Sequence, residues 1–135
     1  MMMDADGKNL HTLDLRFDPN CSGLHYPVWS PNSRFLAYRS DKTSRSDEHG
    51  WSPQLFEGRN ICVIDLEGGE ARPLLPGQSA GNSQLTWSPD GSQIAFVSNR
   101  GGGTSQIWTV NVDGSNLRQL TTAGKSVRFP FWIRE

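Results

Sequence analysis

The sequence predicts an all-β chain built from repeated four-stranded antiparallel meanders. Three observations carry this. The stretch from Gln84 to Thr121 divides into short strands separated by turns of recognisable chemistry. Anchors from that stretch recur along the chain in the same order. No segment has a 3.6-residue apolar period of helix length.

In the anchor stretch, strand one is Gln84 to Trp87. Ser88-Pro89-Asp90-Gly91 is a turn, with proline presetting φ at its second position and glycine free to take φ > 0 at its end. Strand two, Gln93 to Ser98, is a β-branched and aromatic run, and Asn99 to Ser105 is a glycine-rich loop. Strand three is Gln106 to Val112, Asp113-Gly114 is a hairpin signal, and strand four is Leu117 to Thr121. A meander of this size is one blade of a β-propeller.

The repeats align on three anchors. Trp29 in YPVWSPNS, Trp87 in QLTWSPDG and Trp132 in FPFWIRE each close a first strand. RFLAYRSDK matches QIAFVSNR as strand two. MMMDADGKNL, ICVIDLEGGE and IWTVNVDGSNL match as strand three with its turn. Residues 1–14 therefore read as strands three and four of a blade, 27–75 as a full blade, 85–121 as a second, and 126–135 as the first strand of another. The expected architecture is an incomplete ring of two full blades with partial blades at each end. The first full blade carries an inserted loop, 41–59, in which Trp51-Ser52-Pro53 mimics the anchor but no second strand follows. Loops this long in compact domains are functional or disordered.

Meander geometry sorts the connections. Loops between strands two and three share one end of the blades with the inter-blade connections, Leu15 to Tyr26, Pro76 to Ser83 and Thr122 to Lys125. The tight Ser-Pro turns and Asp-Gly hairpins lie at the other end. The loop end is the better binding candidate, because loops on a rigid scaffold carry function. His25, Tyr26, Trp51, Phe56 and Arg100 are the candidate partner-binding residues there. For Tyr26, packing on the adjacent blade is preferred over lining a channel mouth. Trp29, Trp87 and Trp132 recur at one blade position and read as structural; Trp51 lies off the repeat.

These motifs resemble the TolB-type, WD-like β-propeller repeat. The match comprises Trp87-Ser88-Pro89-Asp90-Gly91, Ile94-Ala95-Phe96, Ser98-Asn99-Arg100, Val112-Asp113-Gly114, Asn116-Leu117 and Leu120-Thr121. It covers nearly the whole chain outside the insertion. Asn32-Ser33 departs from Asp-Gly, Thr86 stands where Pro27 and Pro130 stand, and Ile133-Arg134-Glu135 lacks the Ser-Pro turn. The resemblance implies a non-catalytic, TolB-like scaffold that binds a protein or peptide through its loop end. The alternative is the accessory propeller of a prolyl-oligopeptidase-like or tricorn-like peptidase whose catalytic domain is not in this chain. Self-association that completes the ring is a further expectation, because an open arc leaves edge strands and apolar faces uncovered.

Other readings are narrower. Gly77-Gln78-Ser79-Ala80-Gly81 matches a nucleophile elbow in spelling, but Pro76 precedes it and no histidine follows His49, so it reads as an inter-blade loop and the chain as no enzyme. Asp4-Ala5-Asp6-Gly7 reads as hairpin chemistry, since Asn9 and Leu15 stand where a calcium loop needs Gly and Glu. His11, His25 and His49 lack ligand spacing, so neither metal nor cofactor is expected. Cys21 and Cys62 are expected as buried or half-buried free thiols. Net charge is −1 with no basic run, which gives nucleic acid no electrostatic support. No apolar run spans a bilayer. MMMDADGKNL lacks a signal peptide's basic start and apolar core. The expected compartment is the periplasm if the chain is part of a TolB-like protein, and otherwise the cytoplasm.

Overall fold

The computed structural model describes residues 2–21, 23–41, 59–75 and 80–133. Among these, every regular element is a strand. The strands are β1 (Arg16–Phe17), β2 (Leu24–Trp29), β3 (Phe35–Asp41), β4 (Arg59–Asp65), β5 (Glu70–Pro73), β6 (Asn82–Trp87), β7 (Gln93–Ser98), β8 (Gln106–Asn111) and β9 (Arg118–Gln119). They form two sheets, ordered β1-β5-β4-β3-β2 and β6-β7-β8-β9. Each contains an antiparallel meander of four strands, so the chain holds propeller blades.

Period-2 alternation divides blade one between two cores. Ala37 of β3 and Ile61 and Val63 of β4 join Leu74, Trp87, Ile94, Phe96 and Val110 in the core between the blades. The intervening residues Leu36, Tyr38, Cys62 and Ile64 face the other way and pack with Cys21 and Ala71. That second face is covered by the connection before β2. Residues 15–21 were expected as connector alone. Instead, Arg16 and Phe17 add a parallel strand beside Glu70 and Ala71, because β5 still has an edge to share.

The cysteine expectation is corrected. Cys21 and Cys62 form a disulfide across a sequence separation of 41, with Cα atoms 5.9 Å apart. Both residues are fully buried. The bond staples the connector to the centre of β4. Beside it, the Tyr38 hydroxyl donates to the Cys21 carbonyl at 2.8 Å. Burial, with the nearby Asp18 charge, pushes this phenol up to about 12.

The tight turns use one chemistry twice. In blade two, Ser88 Oγ donates to Asp90 Oδ1 (2.6 Å) and accepts from Gln93 N (3.0 Å), while Ser92 N donates to Asp90 Oδ1 (3.0 Å). In blade one, Ser30, Asn32, Arg34 and Phe35 repeat these bonds. Ser33 takes the left-handed conformation that Gly91 takes in blade two, at φ 59° and 71° respectively. Gly114 is required on two counts. Its φ is 88°, and an added Cβ would lie 2.7 Å from the Leu74 carbonyl oxygen.

Blade two docks through its first strand, β6, which packs on β2, β3 and β4. Trp87 Nε1 donates to the Val28 carbonyl at 3.0 Å, and its ring stacks on Phe35 with centroids 6.2 Å apart. The next copy repeats the bond, with Trp132 Nε1 donating to Thr86 O at 3.3 Å. Residues 126–133 carry no assigned strand but are held by Val127 N to Ser105 O (2.8 Å) and Phe129 N to Gln84 Oε1 (2.7 Å). At the other end, residues 2–14 form a hairpin closed by one isolated bridge, Met2 to His11.

Two stability predictions follow from this arrangement. In the chain-entropy picture, closing the loop between Cys21 and Cys62 contributes about 4 kcal/mol. The paired variant Cys21→Ala, Cys62→Ala should therefore lose about 2–4 kcal/mol in urea unfolding, and an unchanged midpoint would refute the staple. The Ser88 hydroxyl, then the Ser92 backbone and hydroxyl, hold the Asp90 carboxyl down to about 2. Asp113 is lowered likewise, chiefly by the Ser115 hydroxyl, and Asp65 chiefly by Arg34. A folded-state value below the unfolded one contributes stability above about pH 4 that is lost as the pH falls toward about 2. Asp90→Ala should flatten this acid limb of the stability profile, measured by urea unfolding from pH 6 to pH 2.

Candidate functional site

The candidate site grows out of a defect repeated in strand one. Residues Tyr26, Gln84 and Phe129 each stand three positions before a repeat tryptophan, and all adopt positive φ, at 51°, 53° and 57°. In β2 and β6 the register shifts there, between His25 and Val28 and between Ser83 and Thr86. A β-bulge re-aims the side chains beside it. A left-handed conformation at a non-glycine residue costs about 1–2 kcal/mol, and such strain persists where surrounding contacts over-determine it. Here Gln84 reaches the Phe129 backbone, and the Arg39 guanidinium lies 4.8 Å from the Tyr26 ring centroid.

Pairing of Leu24 with Ser40, of Asp41 with Arg59 and of Asn82 with Ser98 puts both bulges at the loop end. In blade one an ionic network adjoins the bulge. Asp41 meets Arg39 (Nε to Oδ1 3.0 Å, Nη2 to Oδ2 3.0 Å), Arg59 (Nε to Oδ1 3.5 Å) and His25 (Nε2 to Oδ2 3.6 Å). The two Nε contacts are ion pairs without hydrogen-bond alignment. Among the described residues, three basic side chains surround this one carboxylate.

A cleft of about 230 Å³ adjoins this network. Arg59, Ser83, Gln84, Asn99, Ser105 and Arg128 supply its polar walls. It joins both blades and the following first strand, since Arg128 occupies the position of His25 and Ser83 in the repeat.

The sequence candidates divide accordingly. His25 and Tyr26 stand together at the loop end. Tyr26 is 74% exposed, and its ring lies against Arg39 of its own blade. Arg100 reaches the same end but is half-buried. It donates to Ser98 Oγ (3.1 Å) and Asn82 Oδ1 (3.0 Å), and its guanidinium lies near the Phe96 and Trp108 rings. Burial lowers its pKa. Trp51 and Phe56, with the rest of 42–58, lie outside the described residues, as does most of the Gly77–Gly81 motif. Sequence reasoning missed Arg39, Asp41, Arg59, Gln84 and Arg128. Aligning the positions just before each repeat tryptophan would have found Gln84, Phe129 and Arg128. Among the described residues, no group of three His, Cys, Asp or Glu side chains is placed to hold a metal ion. The described residues include no helix long and apolar enough to cross a membrane.

Asp41→Asn should cost about 1–3 kcal/mol, between the values for exposed and buried pairs. Because Asp41 and Arg59 share the network, adding Arg59→Gln should cost less than the sum of the single losses in urea unfolding. Strict additivity would mean that the pair is uncoupled.

Comparison with known proteins places these features in context. No protein-family model matches the chain. It is 33% identical over 113 residues to hydrazine synthase subunit alpha of Kuenenia stuttgartiensis, a match covering 82% of this chain and 14% of that protein. It is 26% identical over 106 residues to an uncharacterized peptidase, YuxL, of Bacillus subtilis, covering 78% and 15%. The chain thus spans about one seventh of the length of these curated relatives. A solved structure of a TolB-designated protein from Agrobacterium tumefaciens is similar at a TM-score of 0.60 and 27% identity, over 78% of this chain and 33% of that one. The repeated Trp-Ser-Pro turns, the two meanders and this likeness agree: the chain is made of TolB-like β-propeller blades.

Proposed function

We propose that the chain is a non-catalytic propeller scaffold that binds a protein or peptide through its loop end. The observation that carries this reading is the positive-φ residue that recurs at one end of three successive copies, at a bulge in β2 and β6. Two of its side chains, Tyr26 and Phe129, are each 74% exposed. Strained backbone clusters at binding and active sites, and exposed aromatic rings make effective anchors for a partner. A second reading, the accessory propeller of a peptidase, is supported by the YuxL match. A further copy of the chain, or further blades, would complete the ring. This is supported by Trp29, which is 48% exposed where its counterpart Trp87 is 7% exposed, and by the exposed Phe131 and Ile133. The buried disulfide supports an oxidising compartment.

Peptide-display selection against the immobilised chain tests the first reading. Tyr26→Asn and Phe129→Asn keep a residue that tolerates positive φ while removing the ring. Each should weaken the selected peptides about tenfold, while Asp113→Asn at the opposite end leaves them unchanged. Full affinity in both ring variants would refute the loop-end assignment. Peptide hydrolysis by a full-length protein containing these blades would favour the second reading.

A further inference from the structure

We propose that the cleft between Arg59 and Arg128 is a carboxylate-binding site, taking the C-terminal or side-chain carboxylate of a peptide. This deepens the peptide-binding reading and rests on it. The hydrogen bonds already made within the walls orient the remaining groups. Asn99 Oδ1 accepts from Gly81 N at 2.8 Å, and Gln84 Oε1 accepts from Phe129 N at 2.7 Å. Both donors are backbone N–H groups, so the carboxamide oxygens are the atoms they engage. Each side-chain NH₂ is thereby the end left for a ligand. The Ser83 and Ser105 hydroxyls add rotatable donors. Two guanidiniums complete the lining, from different blades, and none of the described lining residues is acidic. Arg59 is steadied by Asp41, while Arg128 is exposed. A lining rich in donors, with its two carboxamide oxygens engaged elsewhere, favours an oxyanion, and guanidinium forks match the planar carboxylate.

The surroundings reinforce this. Among the described residues, Arg39, Arg59, Lys125 and Arg128 stand at the loop end with Asp41, whereas Asp65, Glu67, Glu70, Asp90 and Asp113 stand at the tight-turn end with Arg16, Arg34 and Arg72. This separation of charge steers anionic groups toward the cleft.

The test uses N-acetylated hexapeptides of one uncharged sequence, with a free C-terminal carboxylate or a C-terminal amide. A third peptide carries the amide and one glutamate. Binding is followed by NMR at the Asn99 and Gln84 side-chain NH₂ groups and at Arg128 Nε–H. The carboxylate peptides should bind about tenfold more tightly than the neutral amide, and the two carboxylate forms distinguish a chain terminus from a side chain. Arg128→Gln should remove that preference. Asn99→Asp, which keeps an oxygen for Gly81 N but turns the donor into a negative charge, should remove it as well. Arg118→Gln on the outer strand β9 should retain it. If acid and neutral amide bind alike, the carboxylate site is refuted while the peptide reading stands. If no peptide binds, both fail. Inorganic phosphate binding more tightly than the carboxylate peptides at equal ionic strength would refute the carboxylate assignment.

Discussion

The contact on which the arrangement depends is the indole of Trp87 seated on the blade before it. Its N–H satisfies the Val28 carbonyl, and its ring lies against Phe35 within the core between the sheets. Burying a side chain of this size removes roughly 200 Å² from water, worth about 5 kcal/mol. The bond also has a register. It joins the tryptophan of one copy to the residue before the tryptophan of the preceding copy, and Trp132 repeats it on Thr86. First strands are thereby set side by side, and the loop ends of successive blades open onto one shared mouth.

That shared mouth is why the bulges matter. A single left-handed residue in one strand would be a local irregularity. Three at equivalent positions form a row, because the tryptophan contacts hold the strands in common register. The row is tied across the blade boundary by the Gln84 side chain, so the strain is stabilised by contacts that single blades lack. The adjoining charges are organised by Asp41, which gathers Arg39, Arg59 and His25 at the mouth.

The other face of blade one solves a different problem. The inter-blade core covers only one side of β3 and β4, leaving Leu36, Tyr38, Cys62 and Ile64 to be buried by something else. The chain uses its own connector. The disulfide holds residues 15–21 against this face, the Tyr38 hydroxyl satisfies the Cys21 carbonyl, and β1 pairs with the edge of β5. A segment that reads as linkage is thus part of the fold.

Local chemistry made much of the architecture legible. The Ser-Pro turns, the Asp-Gly hairpin and the short β-branched and aromatic runs of β3, β4 and β7 state their conformation within a few residues, so strand order and blade identity could be read directly. His25 and Tyr26 were legible as loop-end residues because they precede an anchor tryptophan. Arg39, Asp41, Arg59 and Arg128 were not, because their proximity depends on sheet register and on one blade docking against the next. The cysteines misled for the same reason. Two isolated thiols carry no pairing signal, and only the return of the connector across β4 brings them within bonding distance. The sequence by itself determined the meanders and their repetition, since both follow from turn residues and side-chain period. Tertiary structure decided the disulfide, the parallel strand β1, the placement of Tyr26 against Arg39 and the donor-lined cleft, since each requires segments distant in sequence to meet at a fixed register.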